Sequence, residues 1–410
     1  MENNLYLAWS PDATIQGMGS SGGAVTALLR CALENQMVDA VLAVKKRNNS
    51  RFDAVPTLIT DPELVHETAG AMHFAPLNMV KIIKEYLDGA MDMRVAVTCK
   101  PCDARAFIEL AKRNQVRREN LFLVGLNCSG TYLPTVAEQM IREAFGENPQ
   151  DLAGEEVDEG KLIITLKDGS TKEKDLEELV RQGYEMRENC LRCSYKVPRM
   201  ADIACGKWGN NGKSATFIEI CSPKGHEFLD AAAQNGALVM EPATNEQIEK
   251  RKQKETEAVE NAQAREKQEI EAFKRYSSEE RLKYWLGHLS RCIKCFGCRD
   301  ACPICFCKEC YLEPYRGCIP GGETPPDIMF QLIRLSHVAD SCVNCGQCQD
   351  ACPMEIPLTR LYSVLNSELA DIFDYKPGVD IDQPPPLTTV TEQELSIDAP
   401  DIIGENSSDR

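Results

Sequence analysis

The chain has 410 residues, 43% hydrophobic and 27% charged, with a formal net charge of −17, enough for two or three domains with their own cores. The acidic balance argues against a nucleic-acid partner, because binders of phosphate backbones concentrate Lys and Arg. No run reaches the roughly 18 to 20 apolar residues that span a bilayer and MENNLYLAWSPD lacks the pattern of a signal peptide, so a cytoplasmic protein without membrane contact of its own is expected.

In chain order, LYLAWS reads as a strand, followed by a glycine-rich turn and a helix over residues 22–36. VDAVLAV is the next strand, and the apolar runs RVAVTC and LFLVGLNC each lead into a helical stretch, 102–113 and 133–145. Short strands interleaved with amphipathic helices predict an α/β domain. Within 146–240, KLIITLKDGSTKE turns at Asp168–Gly169 as a hairpin. Residues 244–276 are almost wholly polar, with Thr244 and Gln247 at capping-box spacing and Glu271 and Arg275 as an i,i+4 pair, and predict a solvated linking helix. Ser277 and Glu280 open a further helix, RLKYWLGHL, whose aromatic face is expected to pack on the cysteine-rich region C-terminal to it. The tail after Tyr375 is acidic and proline-rich, and is expected to stay disordered unless a partner holds it.

Twenty cysteines point to metal or redox chemistry, since structural disulfides are disfavoured in a reducing compartment. RCIKCFGCRDACP contributes Cys292, Cys295, Cys298 and Cys302; fifty residues on, SCVNCGQCQDACP contributes Cys342, Cys345, Cys348 and Cys352. Both have the form C-x2-C-x2-C-x3-C-P, the spacing of two-cluster ferredoxins, in which the fourth Cys serves the other cluster. One [4Fe–4S] cluster is therefore expected on Cys292, Cys295, Cys298 and Cys352, and another on Cys342, Cys345, Cys348 and Cys302. Between them, TPPDIMFQLIRLSHVADS predicts an amphipathic helix with apolar positions 328, 329, 332, 333, 335 and 338. This insertion makes the domain look like the helical ferredoxin type.

Cys305, Cys307, Cys310 and Cys318 come after the first motif at close spacing and are open to a further cluster, an all-thiolate zinc site or packing without metal. Cys99, Cys102, Cys128, Cys190, Cys193 and Cys205 are dispersed, and four of these six can converge. Cys31 and Cys221 read as small core residues. The turn QGMGSSGGAVTALL lets backbone N–H groups approach a phosphate at a helix N-terminus, yet it matches neither G-x-G-x-x-G nor a Walker loop, and an ordinary loop is equally compatible.

Taken together, GMGSSGGAVTALLRCALENQMVDAVLAV, CKPCDARA, LNCSG, CLRC and ADIACGKWG resemble, in this order, the beta subunits of coenzyme F420-reducing hydrogenases and formate dehydrogenases. The likeness covers about residues 15 to 240, and the appended two-cluster domain is closer to the formate dehydrogenase form. The resemblance implies an α/β flavin-binding domain (α+β overall), a polar linker helix and an α-helical ferredoxin-like domain with two [4Fe–4S] clusters. The implied bounds are 1–240 for the FAD/iron–sulfur domain, 241–285 for the linker, 286–375 for the ferredoxin domain and 376–410 for the tail.

It also implies FAD phosphates near Gly19, Ser20, Ser21, Gly22, Gly23 and Thr26, and a third cluster on Cys102, Cys128, Cys190 and Cys193. Cys99 and Cys205 depart from the family pattern and either could replace one of those ligands; MHFAP (72–76) stands in place of a Ser-Lys-Tyr run. Lys100, Lys196 and Arg199 are candidate anchors for an anionic coenzyme tail, against plain solvation. The implied reaction sequence starts at a formate-oxidising catalytic alpha subunit and runs through the clusters to FAD. FAD then passes hydride to coenzyme F420, a deazaflavin. Further redox subunits, such as a heterodisulfide reductase complex, are compatible partners. The alternatives are a non-catalytic electron-transfer subunit and a flavin reductase acting on another acceptor, such as sulfite or a tetrapyrrole.

Overall fold

The computed structural model describes residues 4–48, 50–316 and 328–388. Its strands are β1 (Leu5–Trp9), β2 (Ala40–Lys46), β3 (Ala54–Ile59), β4 (Val95–Cys99), β5 (Leu121–Leu126), β6 (Leu152–Asp158), β7 (Lys161–Leu166), β8 (Thr171–Asp175), β9 (Ile203–Gly206), β10 (Thr216–Ile220) and β11 (Val239–Pro242). The helices in the first half are α1 (Ala13–Met18), α2 (Ala24–Glu34), α3 (Pro101–Ala111), α4 (Pro134–Glu143), α5 (Leu176–Arg181) and α6 (Glu188–Leu191). Those in the second half are α7 (Pro223–Gln234), α8 (Asn245–Lys274), α9 (Ser278–Leu289), α10 (Gly297–Asp300), α11 (Met329–Val338), α12 (Gln347–Asp350) and α13 (Leu358–Phe373).

The main sheet runs β11-β1-β10-β9-β5-β4-β2-β3. Its centre, β2-β4-β5-β9, is parallel, and the outer pairs are antiparallel. The parallel strands are buried on both faces, which is why β4 and β5 read as continuous apolar runs and not as alternating ones. Alternation reappears in what each residue touches. Val95, Val97, Leu121 and Leu123 pack with α3, while Ala96, Phe122 and Val124 pack with α2 and α7. Phe122 stacks on Phe228 at 3.8 Å, a contact worth about 0.5–1.5 kcal/mol beyond area burial. The predicted hairpin is β7–β8, joined by β6 into a second, antiparallel sheet.

The core beneath α3 does not stop at the sheet. It continues through Phe107 and Leu110 to Leu289, Phe330, Ile356 and the cysteine-bearing loops. Among the described residues no helix is long and apolar enough to cross a membrane. In the cysteine repeat each loop has two left-handed residues, Lys294 and Phe296 in the first, Asn344 and Gly346 in the second, and each then enters a short helix, α10 or α12. Successive turns of this kind aim backbone N–H groups inward as an anion-binding concavity.

Three expectations change. First, α8 has the predicted capping box but is not bare. Arg251 pairs with Glu219, Arg199 with Glu255 and Arg192 with Glu269, all reaching across from the domain it was expected only to leave. Glu271 pairs with Lys267, one turn before it on the helix, where the spacing had suggested Arg275, one turn after. Second, the start of the tail is docked: Pro377 carbonyl accepts from Arg105 Nε (2.7 Å), and Gly378 N–H donates to Glu109 (2.6 Å). Residues 389–410 lie outside the described residues. Third, α11 buries Phe330, Gln331, Arg334 and Val338, while Met329 and Leu332 face outward. The helix is rotated so that two polar residues, and not the full apolar stripe, meet the cysteine loops.

Candidate functional site

The carboxyl ends of β2, β4, β5 and β9 open onto one cavity of about 270 Å³, walled on its far side by Glu155, Glu156 and Val157 of β6. Open α/β sheets bind their ligands at this edge, outside the carboxyl ends of the strands. The glycine-rich turn forms one end of it. Gly19, Ser20, Ser21, Gly23 and Thr26 line the cavity; Gly22 does not. Gly22 instead holds the turn against the sheet at φ +77°, where an added Cβ would collide with the Ser214 carbonyl and lie 2.9 Å from Trp9 Cβ. Ser10 N–H donates to Gly22 carbonyl (2.8 Å), Thr216 hydroxyl to Ser21 carbonyl (2.6 Å), and Ala71 N–H to Ser20 hydroxyl (2.7 Å). The first turn of α2 has no side-chain cap, so its N–H groups at Ala24, Val25 and Thr26 are available to an anion in the cavity. Gly22→Ala is expected to cost about 1–3 kcal/mol through backbone strain alone, measured by chemical denaturation.

Sequence reasoning missed the polar groups at the other end. Asn127, directly after β5, is half-buried with both Nδ2 and Oδ1 enclosed and, among the described residues, unpartnered, as is His73 Nδ1; both residues line the cavity. Burial pushes the His73 imidazole below its ordinary value, which keeps it neutral at pH 7 and able to offer a lone donor or acceptor. Orphaned buried polar atoms are costly unless a ligand completes them. The available signal for Asn127 was its place beside Cys128 at a strand end. The MHFAP segment contributes Met72, His73 and Ala75 to the wall, held by His73 N–H donating to Glu155 (2.8 Å), itself paired with buried Arg51 (2.7 Å).

Lys100 lines the cavity too, but its ammonium is engaged by Asp103 (2.9 Å) and the Leu77 carbonyl. Burial lowers its pKa, and Asp103 together with the Cys102 and Cys128 thiols more than reverses this. Lys196 is buried 3.4 Å from the Cys190 carbonyl, and Arg199 is clasped by Glu219 and Glu255, so neither lines the cavity.

The dispersed cysteines sort into groups. Cys102 lies within electrostatic range of Cys128 and Cys193, and Cys128 of Cys190 and Cys193. Cys99 instead donates toward the Val124 carbonyl, and Cys205 neighbours Cys221; both also touch the cavity. The set around Cys102 and Cys128 thus sits on the same sheet edge as the cavity, one residue beyond Asn127.

Two further cavities lie in the C-terminal region. One is lined by Cys302, Cys342, Cys345 and Cys348, together with Arg334 and Tyr362. The other is lined by Cys292, Cys295, Cys298 and Cys352, with Gln331 and Phe330. Each therefore takes its fourth cysteine from the other motif. Cys345 is in electrostatic range of Cys102, and Cys298 of Cys348, so the three sets form a continuous series from the cavity outward. Arg187 clips the inner junction: its guanidinium donates to the Cys345 carbonyl (2.9 Å) and Thr131 (3.3 Å), and pairs with Asp350. At the outer end Cys295 is exposed, beside Ile293, which is 46% exposed.

Cys305, Cys307 and Cys310 neighbour one another, and Cys318 lies outside the described residues. Among the described residues no three His, Cys, Asp or Glu side chains close on a point as a single metal ion requires. A cubane, which holds its thiolates at four separate corners, does not require such closure.

Residues 5–84 match the family described as coenzyme F420 hydrogenase/dehydrogenase, beta subunit N-term, and residues 92–246 match its C terminus. The chain is 43% identical to the F420-dependent formate dehydrogenase 1 subunit beta of Methanococcus maripaludis, over 94% of this chain and 98% of that protein. It is 44% identical to the F420-dependent formate dehydrogenase subunit beta of Methanocaldococcus jannaschii, over 92% and 97%. A chain of the F420-reducing [NiFe] hydrogenase complex of Methanosarcina barkeri shares the fold, with a TM-score of 0.58 and 19% identity over 65% of this chain and 92% of that one.

Proposed function

Because this chain belongs to the coenzyme F420 hydrogenase/dehydrogenase beta-subunit family, and is thus an oxidoreductase subunit, we propose that it is the electron-transferring beta subunit of an F420-dependent formate dehydrogenase. The observation that carries the reading is the unbroken series of three four-cysteine sets ending beside a cavity that has an uncapped helix start at one end and orphaned polar atoms at the other. When bound, [4Fe–4S] clusters would carry electrons singly, and FAD would convert them into the two-electron reduction of coenzyme F420 by hydride transfer.

The residues have distinct tasks. The N–H groups of Ala24 to Thr26 and the Ser20 and Ser21 hydroxyls would hold the FAD phosphates. Asn127 and His73 would meet the polar edge of the flavin ring, which presents both donors and acceptors. Cys102, Cys128, Cys190 and Cys193 would hold the cluster next to it, and the two crossed sets the clusters beyond. Exposed Cys295 marks the face that a formate-oxidising alpha subunit would approach. Cys305, Cys307 and Cys310 are offered as part of a fourth, optional cluster site, with Cys318.

The test is anaerobic analysis of iron, acid-labile sulfide and released flavin, followed by coenzyme F420 reduction by the reduced chain. Roughly twelve irons or more with one FAD support the proposal; about eight irons without flavin would refute it. Asn127→Leu is expected to weaken FAD retention on the order of tenfold, the equivalent of one buried hydrogen-bonding group, read by flavin released on gel filtration.

A further inference from the structure

Helix α11 turns Gln331 and Arg334 inward beside Phe330 and Val338 and leaves Met329 and Leu332 exposed, so two polar residues share the buried face of an amphipathic helix. Arg334 is 4% exposed and lines the cavity of Cys302, Cys342, Cys345 and Cys348. Among the described residues its Nη1 has no hydrogen-bond partner, nor has the Tyr362 hydroxyl on the same wall. The groups acting most on its charge are Tyr362 and the thiols of Cys298, Cys302 and Cys348, with no carboxylate among them. Arg334 acts on Cys302, Cys342 and Cys348 of this set and also on Cys298 of the neighbouring set, but of the two cavities it lines only the first.

A buried cation without a counter-charge costs several kcal/mol. Among the described residues no carboxylate pairs with Arg334, and four cysteine thiolates around a cubane would supply the negative charge it faces. The neighbouring cavity is provisioned differently. There Gln331 gives only a neutral amide, Nε2 lying 3.5 Å from Cys292 Sγ and 3.9 Å from Cys298 Sγ. Arg187, a second buried arginine between cysteine loops, is already neutralised by Asp350, and Arg105, also buried, spends its donors on the Val343 and Pro377 carbonyls.

We propose that Arg334 raises the reduction potential of the cluster on Cys302, Cys342, Cys345 and Cys348 above that of the cluster on Cys292, Cys295, Cys298 and Cys352, so that electrons collect at the station next to Cys102. The inference rests on the relay reading above. One electron leaves the outer cluster and one arrives at the inner; no bond is made or broken. The added negative charge appears beside the guanidinium and the Tyr362 hydroxyl, and net charge and hydrogen bonds to sulfur are established levers on cluster potential. Arg334 acts on the cluster electrostatically and is a positioning and tuning residue.

The experiment is an anaerobic redox titration of the full chain followed by electron paramagnetic resonance, with iron counted in every sample. The inner C-terminal cluster is identified as the signal lost in Cys345→Ser. Arg334→Gln is expected to lower the equilibrium constant for its reduction about tenfold, 59 mV for one electron, and to leave the Cys102-set signal in place. Arg334→Lys, which keeps the charge, is expected to stay within about threefold. An iron-replete Arg334→Gln that titrates as the parent, or an Arg334→Lys that falls as far as Arg334→Gln, overturns the proposal. If Arg334→Gln binds too little iron to titrate, Arg334→Lys decides: a midpoint held near the parent supports the role of charge, and a tenfold fall overturns it. Fewer than about eight irons in the parent chain would fail the relay reading itself, a result separate from any shift at Arg334.

Discussion

Replacing Cys128 with serine should strip about four irons from the chain while leaving the two C-terminal cysteine sets loaded. Coenzyme F420 reduction should then fall on the order of 100-fold or more, because even outer-shell partners of a metal site cost about 10- to 100-fold and this change would remove a proposed direct ligand. The physical ground is the position of Cys128, between the cavity-lining Asn127 and the electrostatic neighbourhood of Cys102, Cys190 and Cys193. Burial pushes its thiol up to about 12, so it would be inert as a free cysteine, and only a bound metal would keep it as thiolate. Cys99→Ser and Cys205→Ser are the controls. Both residues touch the cavity, but neither neighbours the set, and the iron content of both variants should match the parent. An iron loss in Cys205→Ser equal to that in Cys128→Ser would transfer the ligand role to Cys205.

The second large effect is expected at Glu109, which is fully enclosed on α3 where the sheet domain meets the C-terminal segment. Its carboxylate accepts from Tyr375 hydroxyl (2.6 Å) and Gly378 N–H (2.6 Å) and pairs with Lys112 (3.1 Å) and Arg113 (2.8 Å). Glu109→Ala leaves both cations and two further donors without their shared acceptor, and should destabilise the chain by about 3–5 kcal/mol. The docked residues 375–378 should be released with it, seen as new protease sensitivity there.

The same group predicts a pH dependence. Burial raises the Glu109 pKa, but Tyr375, Lys112 and Arg113 together hold it net below its ordinary value of 4.5. A depressed folded-state pKa contributes stability that is complete above the unfolded value and is lost as pH falls through the folded one. Denaturation midpoints of the parent should therefore drop below about pH 4.5, and Glu109→Ala should lack that part of the slope. A parent and variant with parallel pH profiles would argue against the assignment.

Legibility varied with how local the determining physics was. The strand–helix alternation at 5–46 and 94–143 was readable because apolar runs, caps and the turn at Asp168–Gly169 act within a few residues. The capping boxes at Thr244 and Ser277 were readable for the same reason. The crossed grouping of the C-terminal cysteines was foreshadowed by the repeat itself. What was misread depended on contacts across the chain. Composition made α8 look solvated, yet its ion pairs include Glu219, Arg199, Arg192 and Asp158, 32 to 96 residues away in sequence. The acidic tail looked free, yet Arg105 and Glu109 hold its first residues from 269 or more positions away.

By itself, then, the sequence determined the strand and helix segments, the cysteine repeat and the family, since each is written in short-range periodicity or spacing. Only the tertiary structure decided which of six dispersed cysteines group together, that Asn127 and His73 face a cavity, and that α11 presents Arg334 inward. The reason is that periodicity ranks a helix face by apolarity alone. It has no term for partners that the rest of the chain brings to that face, such as the cysteine-lined cavity beside Arg334.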